Sequence, residues 1–337
     1  MQTFIPTQVD KILIAHQAYQ LAEQRITNQL MAAQQYAEPT CLALVGESRS
    51  GKSRLAEAIM CKFPKQRTQT GMKVPVLSVK TPSKPTVKGL VETLLRELGD
   101  PLCFKRGSEN EKTERLYVLL KQTGTHTIII DEFQHFYDKV SHKVQHHLSD
   151  WLKIFVDNTG LTILVVGLPD CMAVINQNEQ LRGRFMSAIH MRRFAWEDAH
   201  DREEFVACLD AFTQGLARYQ FPDLTSDAMA FRFYCATGGL IGYIAKILHQ
   251  ACLNANVANT TSITLTDLAR AYVEAVWIDT LFDNPNPFLA DIIGSGANVL
   301  LHHAKQIGAM ADPSEPVVET KSRRRRNSPT ASEVLVA

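Results

Sequence analysis

The octapeptide Gly46-Glu47-Ser48-Arg49-Ser50-Gly51-Lys52-Ser53 constrains this chain most, because it matches every fixed position of the G-x-x-x-x-G-K-[ST] phosphate-binding loop. Its flanks fit the same geometry. Cys41-Leu42-Ala43-Leu44-Val45 reads as a buried strand running into the first glycine, and Arg54-Leu55-Ala56-Glu57-Ala58-Ile59-Met60 as a helix leaving the last. In such a strand–loop–helix unit, successive backbone N–H groups at the helix N-terminus form a nest for anions. All eight residues of the loop are therefore expected to cradle the phosphates of ATP, with Lys52 reaching the β- and γ-phosphates and the Ser53 hydroxyl ligating Mg²⁺.

A phosphate loop needs an acidic partner, and His126-Thr127-Ile128-Ile129-Ile130-Asp131-Glu132 supplies one. Three consecutive isoleucines suit a central parallel strand buried on both faces. Two carboxylates follow at its C-terminal end, where α/β sheets place ligands. Asp131 is the expected Mg²⁺-holding acid, as in a Walker-B strand, and Glu132, on the opposite side of the strand, the expected general base.

The 337 residues, 45% hydrophobic, can fill one large domain or two smaller ones. No apolar run approaches the roughly 18 residues of a membrane span, and Met1-Gln2-Thr3-Phe4-Ile5-Pro6 lacks the blocks of a signal peptide. The 7 cysteines, without a C-x-x-C pair, suggest reduced thiols and a cytoplasmic setting. His146-His147 and His302-His303 lack acidic or cysteine partners at ligand spacing, so solvated helix histidines are expected there. The net charge of +1 hides an asymmetry: Lys62, Lys65, Arg67, Lys73, Lys80, Lys84 and Lys88 follow one another without an intervening Asp or Glu. Lys80, Lys84 and Lys88 fall on the loop and first turn between the strand Val74 to Val79 and the helix Val87 to Leu98, where nucleic-acid phosphates can be met; taken alone, the stretch reads first as a solvated basic face.

Coarse periodicity predicts a helical arm from Thr7 to Gln35, helices over Glu111 to Gln122 and Val144 to Val156, and strands over Thr162 to Gly167 and Ile189 to Phe194. Helices alone follow: Arg202 to Gln214, Ser226 to Ala236, Tyr243 to Ala255 and Leu265 to Trp277. The expected fold class is thus α/β, a P-loop parallel sheet with flanking helices followed by an α-helical lid. The division runs 1–36 arm, 37–196 nucleotide-binding domain, 197–282 lid, and 283–337 C-terminal extension after the break at Asn284-Pro285-Asn286-Pro287. Residues 311–337 have a composition that predicts disorder, and Lys321-Ser322-Arg323-Arg324-Arg325-Arg326 reads either as a holder of DNA or an acidic partner or as a solvated tail.

The Walker pair, the run Asp131-Glu132-Phe133-Gln134-His135-Phe136, Trp151-Leu152-Lys153, Gly167-Leu168-Pro169 and Thr237-Gly238-Gly239-Leu240-Ile241-Gly242 resemble the TniB/TnsC group of AAA+ ATPases over about residues 8–280. The resemblance implies a transposition regulator of a Tn7-like transposon, including those associated with CRISPR complexes. Such a regulator binds ATP and Mg²⁺, assembles with itself as a ring or filament on double-stranded DNA, and links a target-selection factor to transposase subunits. It places an arginine finger in Gln180-Leu181-Arg182-Gly183-Arg184-Phe185, with Arg184 the better match and Arg182 the second, and it turns Lys80, Lys84 and Lys88 toward DNA.

Two departures stand against that pattern. Leu168 follows Gly167 where a polar sensor residue is usual, and Gly242 occupies the position of the lid's sensor arginine, with Lys246 one turn on as a substitute. Fewer groups to stabilise transition-state charge imply slow ATP turnover. Two other readings remain open from the residues: a helicase-loader ATPase of the DnaC/IstB kind, and a scaffold whose assembly nucleotide gates without DNA.

Overall fold

The computed structural model describes residues 9–33, 39–69, 71–276 and 285–308. Seven strands form: β1 (Leu42–Gly46), β2 (Gln66–Thr68), β3 (Gly71–Lys73), β4 (Val76–Lys80), β5 (Thr127–Asp131), β6 (Thr162–Gly167) and β7 (Ile189–Met191). Five of them make one sheet in the order β4-β5-β6-β1-β7, and every pairing in it is parallel. The apolar runs explain this arrangement, since every residue of β1, β5 and β6 is buried, as expected for strands covered on both faces.

Alternation along the strands divides their side chains between two cores. Ala43, Val45, Ile128, Ile130, Ile163 and Val165 pack with residues of the helices Val87–Glu97 and His142–Thr159, including Leu90, Leu94, Leu148, Leu152 and Phe155. Leu42, Leu44, Ile129, Leu164 and Val166 pack instead with Ile26 and Leu30 of helix Gln17–Ala33 and with Leu55 and Ile59 of helix Lys52–Lys62. Because all five strands run the same way, Gly46, Lys80, Asp131, Gly167 and Met191 end at one edge of the sheet.

A third core is built mainly from helices. Helices Ala199–Gly215, Asp227–Thr237, Ile241–Val257, Leu265–Ala275 and Ser295–Gln306 bury Phe205, Phe233, Ile247, Leu268 and Leu300 together, with Phe288 edge-on to Phe233 at 5.1 Å. Local signals set their limits: Asp198 caps the first, Thr264 and Asp267 form a capping box on the fourth, and Gly238 in the left-handed region ends the second. The chain thus has an α/β sheet with flanking helices, followed by helices.

Several expectations shift in detail. The N-terminal arm is not one helix: Val9–Lys11 is a 3-10 turn, residues 12–16 are irregular, and the helix starts at Gln17. Leu13 and Leu21, within that predicted arm, are 51% and 58% exposed. The hairpin of β2 and β3 was not anticipated; its exposed, polar strands carry no alternation to read. Helix Ser295–Gln306 escaped for a similar reason, because only Leu300 and Ala304 are buried and its start is rich in glycine. Trp277 and the basic run from Lys321 lie outside the described residues. All seven cysteines are unpaired, and only Cys61 is exposed. Among the described residues no helix is long and apolar enough to cross a membrane.

Candidate functional site

The expected phosphate loop joins β1 to helix Lys52–Lys62, whose first turn carries no side-chain cap, so its leading N–H groups face the cleft beyond the sheet edge. Lys52 folds back on the loop, its Nζ donating to the carbonyl oxygens of Gly46 (2.7 Å) and Glu47 (2.6 Å). Burial pushes the Lys52 ammonium below its ordinary pKa, while the carboxylates of Glu132 and Asp131 pull the other way. The Ser53 hydroxyl donates to Asp131 Oδ2 at 3.3 Å, which brings together the two expected Mg²⁺ ligands from helix and strand.

Asp131 is 7% exposed, and burial raises its pKa against the opposing effect of the Glu132 N–H, which donates to Oδ1 at 2.8 Å. Glu132 follows in a left-handed conformation (φ 56°), and Arg49 of the loop is likewise left-handed (φ 68°). Non-glycine residues held there store strain, and both line the same cleft. That cleft, about 450 Å³, is lined by Ser48, Arg49, Gly51, Lys52, Ser53, Asp131, Glu132, Gln134, Gly167, Leu168 and Gly242.

A second, apolar cleft of about 340 Å³ adjoins it through Gly51, Arg54 and Gly242, and is lined by Val9, Ile12, Leu13, Ile14, Tyr19, Phe212, Ile241 and Ala245. Three of its polar atoms, His16 Nδ1, the Tyr19 hydroxyl and Ser50 Oγ, are buried without a hydrogen-bond partner. Such orphans are costly unless a ligand satisfies them. A polar cleft with a lysine, a hydroxyl and an acid beside an apolar one suits a polyphosphate joined to an aromatic base, and the residues present fit ATP, with Ser53 and Asp131 as the oxygen donors that would hold Mg²⁺. The lining of the apolar cleft was missed from the sequence, because residues 12–16 imitate helix periodicity while serving as its wall.

The departure at Gly242 has a steric cause. Its N–H donates to Arg49 O at 3.0 Å, and a Cβ there would stand 2.8 Å from that oxygen and 2.9 Å from Arg49 Cβ. No side chain fits, so an arginine cannot occupy this position while helix Ile241–Val257 rests on the loop. The Arg49 guanidinium lies 6.0 Å from the centre of the Tyr243 ring, on the same contact. The sequence also left Arg193 unremarked. It pairs with both carboxylate oxygens of Glu47, through Nε at 2.8 Å and through Nη2, and Nη2 also donates to Ile307 O at 2.9 Å. Nη1 donates to Gly238 O at 3.1 Å, so one arginine ties the phosphate loop to two of the C-terminal helices.

Arg182 and Arg184 lie elsewhere. Arg184 O accepts from Cys41 N at 2.8 Å, at the entry of β1, whereas the phosphate loop leaves its far end. Five strand residues at about 3.3 Å each separate the two by roughly 17 Å. Arg184 Nη2 is paired with Asp157 Oδ1 at 2.6 Å, and Arg182 is exposed. Among the lysines, Lys80 pairs in register with Asp131 and its charge acts on that carboxyl, which puts it at the rim of the cleft. Lys84 precedes helix Val87–Glu97 and Lys88 lies in its first turn, and all three are exposed.

With this geometry in place, the family can be assigned. The model of the bacterial TniB protein matches residues 6–196. The chain belongs to the TniB family. Among curated proteins none matches it. Solved structures share its fold: the ORC2 protein of Aeropyrum pernix in ADPNP–ADP complexes, at 14% identity and a TM-score of 0.58 over 83% of this chain and 72% of that one; and Cdc6p of Pyrobaculum aerophilum, at 13% identity and 0.61 over 80% and 70%. The ORC1 protein of Aeropyrum pernix in complex with DNA is similar at 13% identity and 0.57 over 80% and 68%. This TniB chain therefore has the AAA+ ATPase fold of the ORC and Cdc6 proteins.

Proposed function

We propose that this TniB-family chain is an ATP-dependent, DNA-binding AAA+ regulator of transposition, acting in the cytoplasm for a Tn7-like transposon. It assembles as a ring or filament on double-stranded DNA and connects a target-selection factor to the transposase. The observation that carries the reading is the convergence of Lys52, Ser53, Asp131 and Glu132 on one cleft. Residues 37–196 form the nucleotide-binding domain and 197–282 the lid that closes the base side.

In this reading the loop N–H groups and Lys52 hold the β- and γ-phosphates, while Ser53 and Asp131 would hold Mg²⁺, whose charge would offset that of the phosphates. Glu132 orients a water and takes its proton as the oxygen attacks the γ-phosphorus and the bond to the ADP oxygen breaks. Arg184 or Arg182 reaches the nucleotide of a neighbouring subunit, since neither lies near its own. The exposed Lys84 and Lys88, with Lys80, neutralise DNA phosphates; an ORC1 protein of this fold in complex with DNA supports DNA binding in general.

Electron microscopy of the purified protein with duplex DNA and a non-hydrolysable ATP analogue tests the whole reading. Rings or filaments that need both ligands are expected. Assembly on single strands only would favour a helicase loader, and assembly with nucleotide but indifferent to DNA would favour a scaffold.

A further inference from the structure

The end of β6 lacks a polar side chain at Leu168, yet a polar group stands there. Gln134, 6% exposed, reaches across from the turn after β5: its Oε1 accepts from Leu168 N at 3.2 Å, and its Nε2 donates to Glu132 Oε2. The turn itself is pinned. Phe133 N donates to Val166 O at 3.0 Å, and the fully buried rings of Phe133 and Phe136 pack against each other at 5.5 Å. Room for the amide depends on Gly167, where a Cβ would stand 2.7 Å from Gln134 Oε1 and 3.2 Å from Gln134 N.

We infer that Gln134 is the positioning residue of the hydrolytic site, supplying from the Walker-B turn what the end of β6 does not. A carboxylate on a strained backbone can rotate away from a nucleophilic water. Gln134 occupies one oxygen of Glu132 and leaves Oε1 for that water, while its own orientation is set by the Leu168 N–H, because an amide whose oxygen is held by a donor must present its NH₂ on the other side. The glutamine and glycine thus work as a pair, Gly167 being the socket and Gln134 the arm. This inference rests on the assignment of Glu132 as base in the proposed function.

The test uses the full chain with Gln134→Met, which keeps the length but not the donor, Gly167→Ala, and the double variant. Affinity for a fluorescent ATP analogue and KM should stay within about twofold, while kcat falls about tenfold or more, within the range a misplaced general base loses. The double variant should be no slower than Gln134→Met alone, since both break one arrangement. A readout without nucleotide accompanies it: the side-chain amide resonance of ¹⁵N-labelled protein that disappears in Gln134→Met should move in Glu132→Ala. Wild-type turnover with an unchanged kcat in Gln134→Met, fully multiplicative losses in the double variant, or an unmoved amide resonance would each overturn the inference alone. Failure of the wild-type chain to bind or hydrolyse ATP would overturn it together with the assignment of the site.

Discussion

At the C-terminal edge of the sheet, Lys52, Ser53, Asp131 and Glu132 come from two short contiguous segments: Ser53 and Glu132 N bond Asp131, and Lys52 bonds the loop carbonyls beside them. At the opposite end of β1, Arg184 is occupied by Asp157 and Arg182 points to solvent. The first region is a site built within one subunit. The second holds charge that nothing in its own cleft can use. In the proposed reading a bound phosphate acts on groups pre-arranged around it, whereas the arginine serves a neighbour, and an ion pair at a partly exposed position, costing about 1 kcal/mol or less to open, is a suitable resting place for it.

That contrast can be broken most severely at the junction. Removing Arg184 should leave analogue binding by the isolated subunit intact and impair ATP-dependent assembly and hydrolysis, by up to about 10³-fold in rate where the arginine is catalytic. The defect must act in trans, so mixing Arg184→Ala with Lys52→Ala subunits should restore a measurable fraction of turnover. Normal turnover and assembly in both Arg184→Ala and Arg182→Ala would leave this edge without a role in catalysis.

A smaller effect is expected on the basic rim. Each phosphate contact adds about 0.9 to the slope of log affinity against log salt. Replacing Lys80, Lys84 and Lys88 together with Ala should flatten that slope by up to about 2.7 and weaken unrelated duplexes alike, with Lys80 contributing least if its charge serves Asp131 instead. An unchanged slope would move the DNA surface elsewhere on the molecule.

What the amino-acid order disclosed follows the same division. The loop, the acidic strand and all five strands of the parallel sheet were legible, because a phosphate nest needs contiguous backbone and a doubly covered strand needs an unbroken apolar run. Four helices of the third core were legible from their period, and Ser295–Gln306 was not. What stayed hidden was assembled across the chain. Arg193 meets Glu47 only because β7 lies beside β1, and no local pattern marks it. The apolar cleft takes its wall from residues 9–16, whose spacing imitates a helix that starts only at Gln17. Gly242 looked like a missing arginine, and its reason, the close approach of Arg49, exists only in three dimensions. Gln134 was quoted as part of a motif, but its bond to Leu168 depends on β5 and β6 being neighbours.

The central claim is that the two joined clefts are one ATP site in which binding and hydrolysis depend on different residues. Titration of a fluorescent ATP analogue, with phosphate release measured on the same samples, tests it in the wild-type chain, Lys52→Ala and Glu132→Gln. The account predicts saturable binding and slow release in the wild type, loss of both in Lys52→Ala, and in Glu132→Gln retained binding with release reduced by about 10²-fold or more. Equal analogue affinity in the wild type and Lys52→Ala would contradict the claim at its root, and undiminished release from Glu132→Gln would remove its catalytic half.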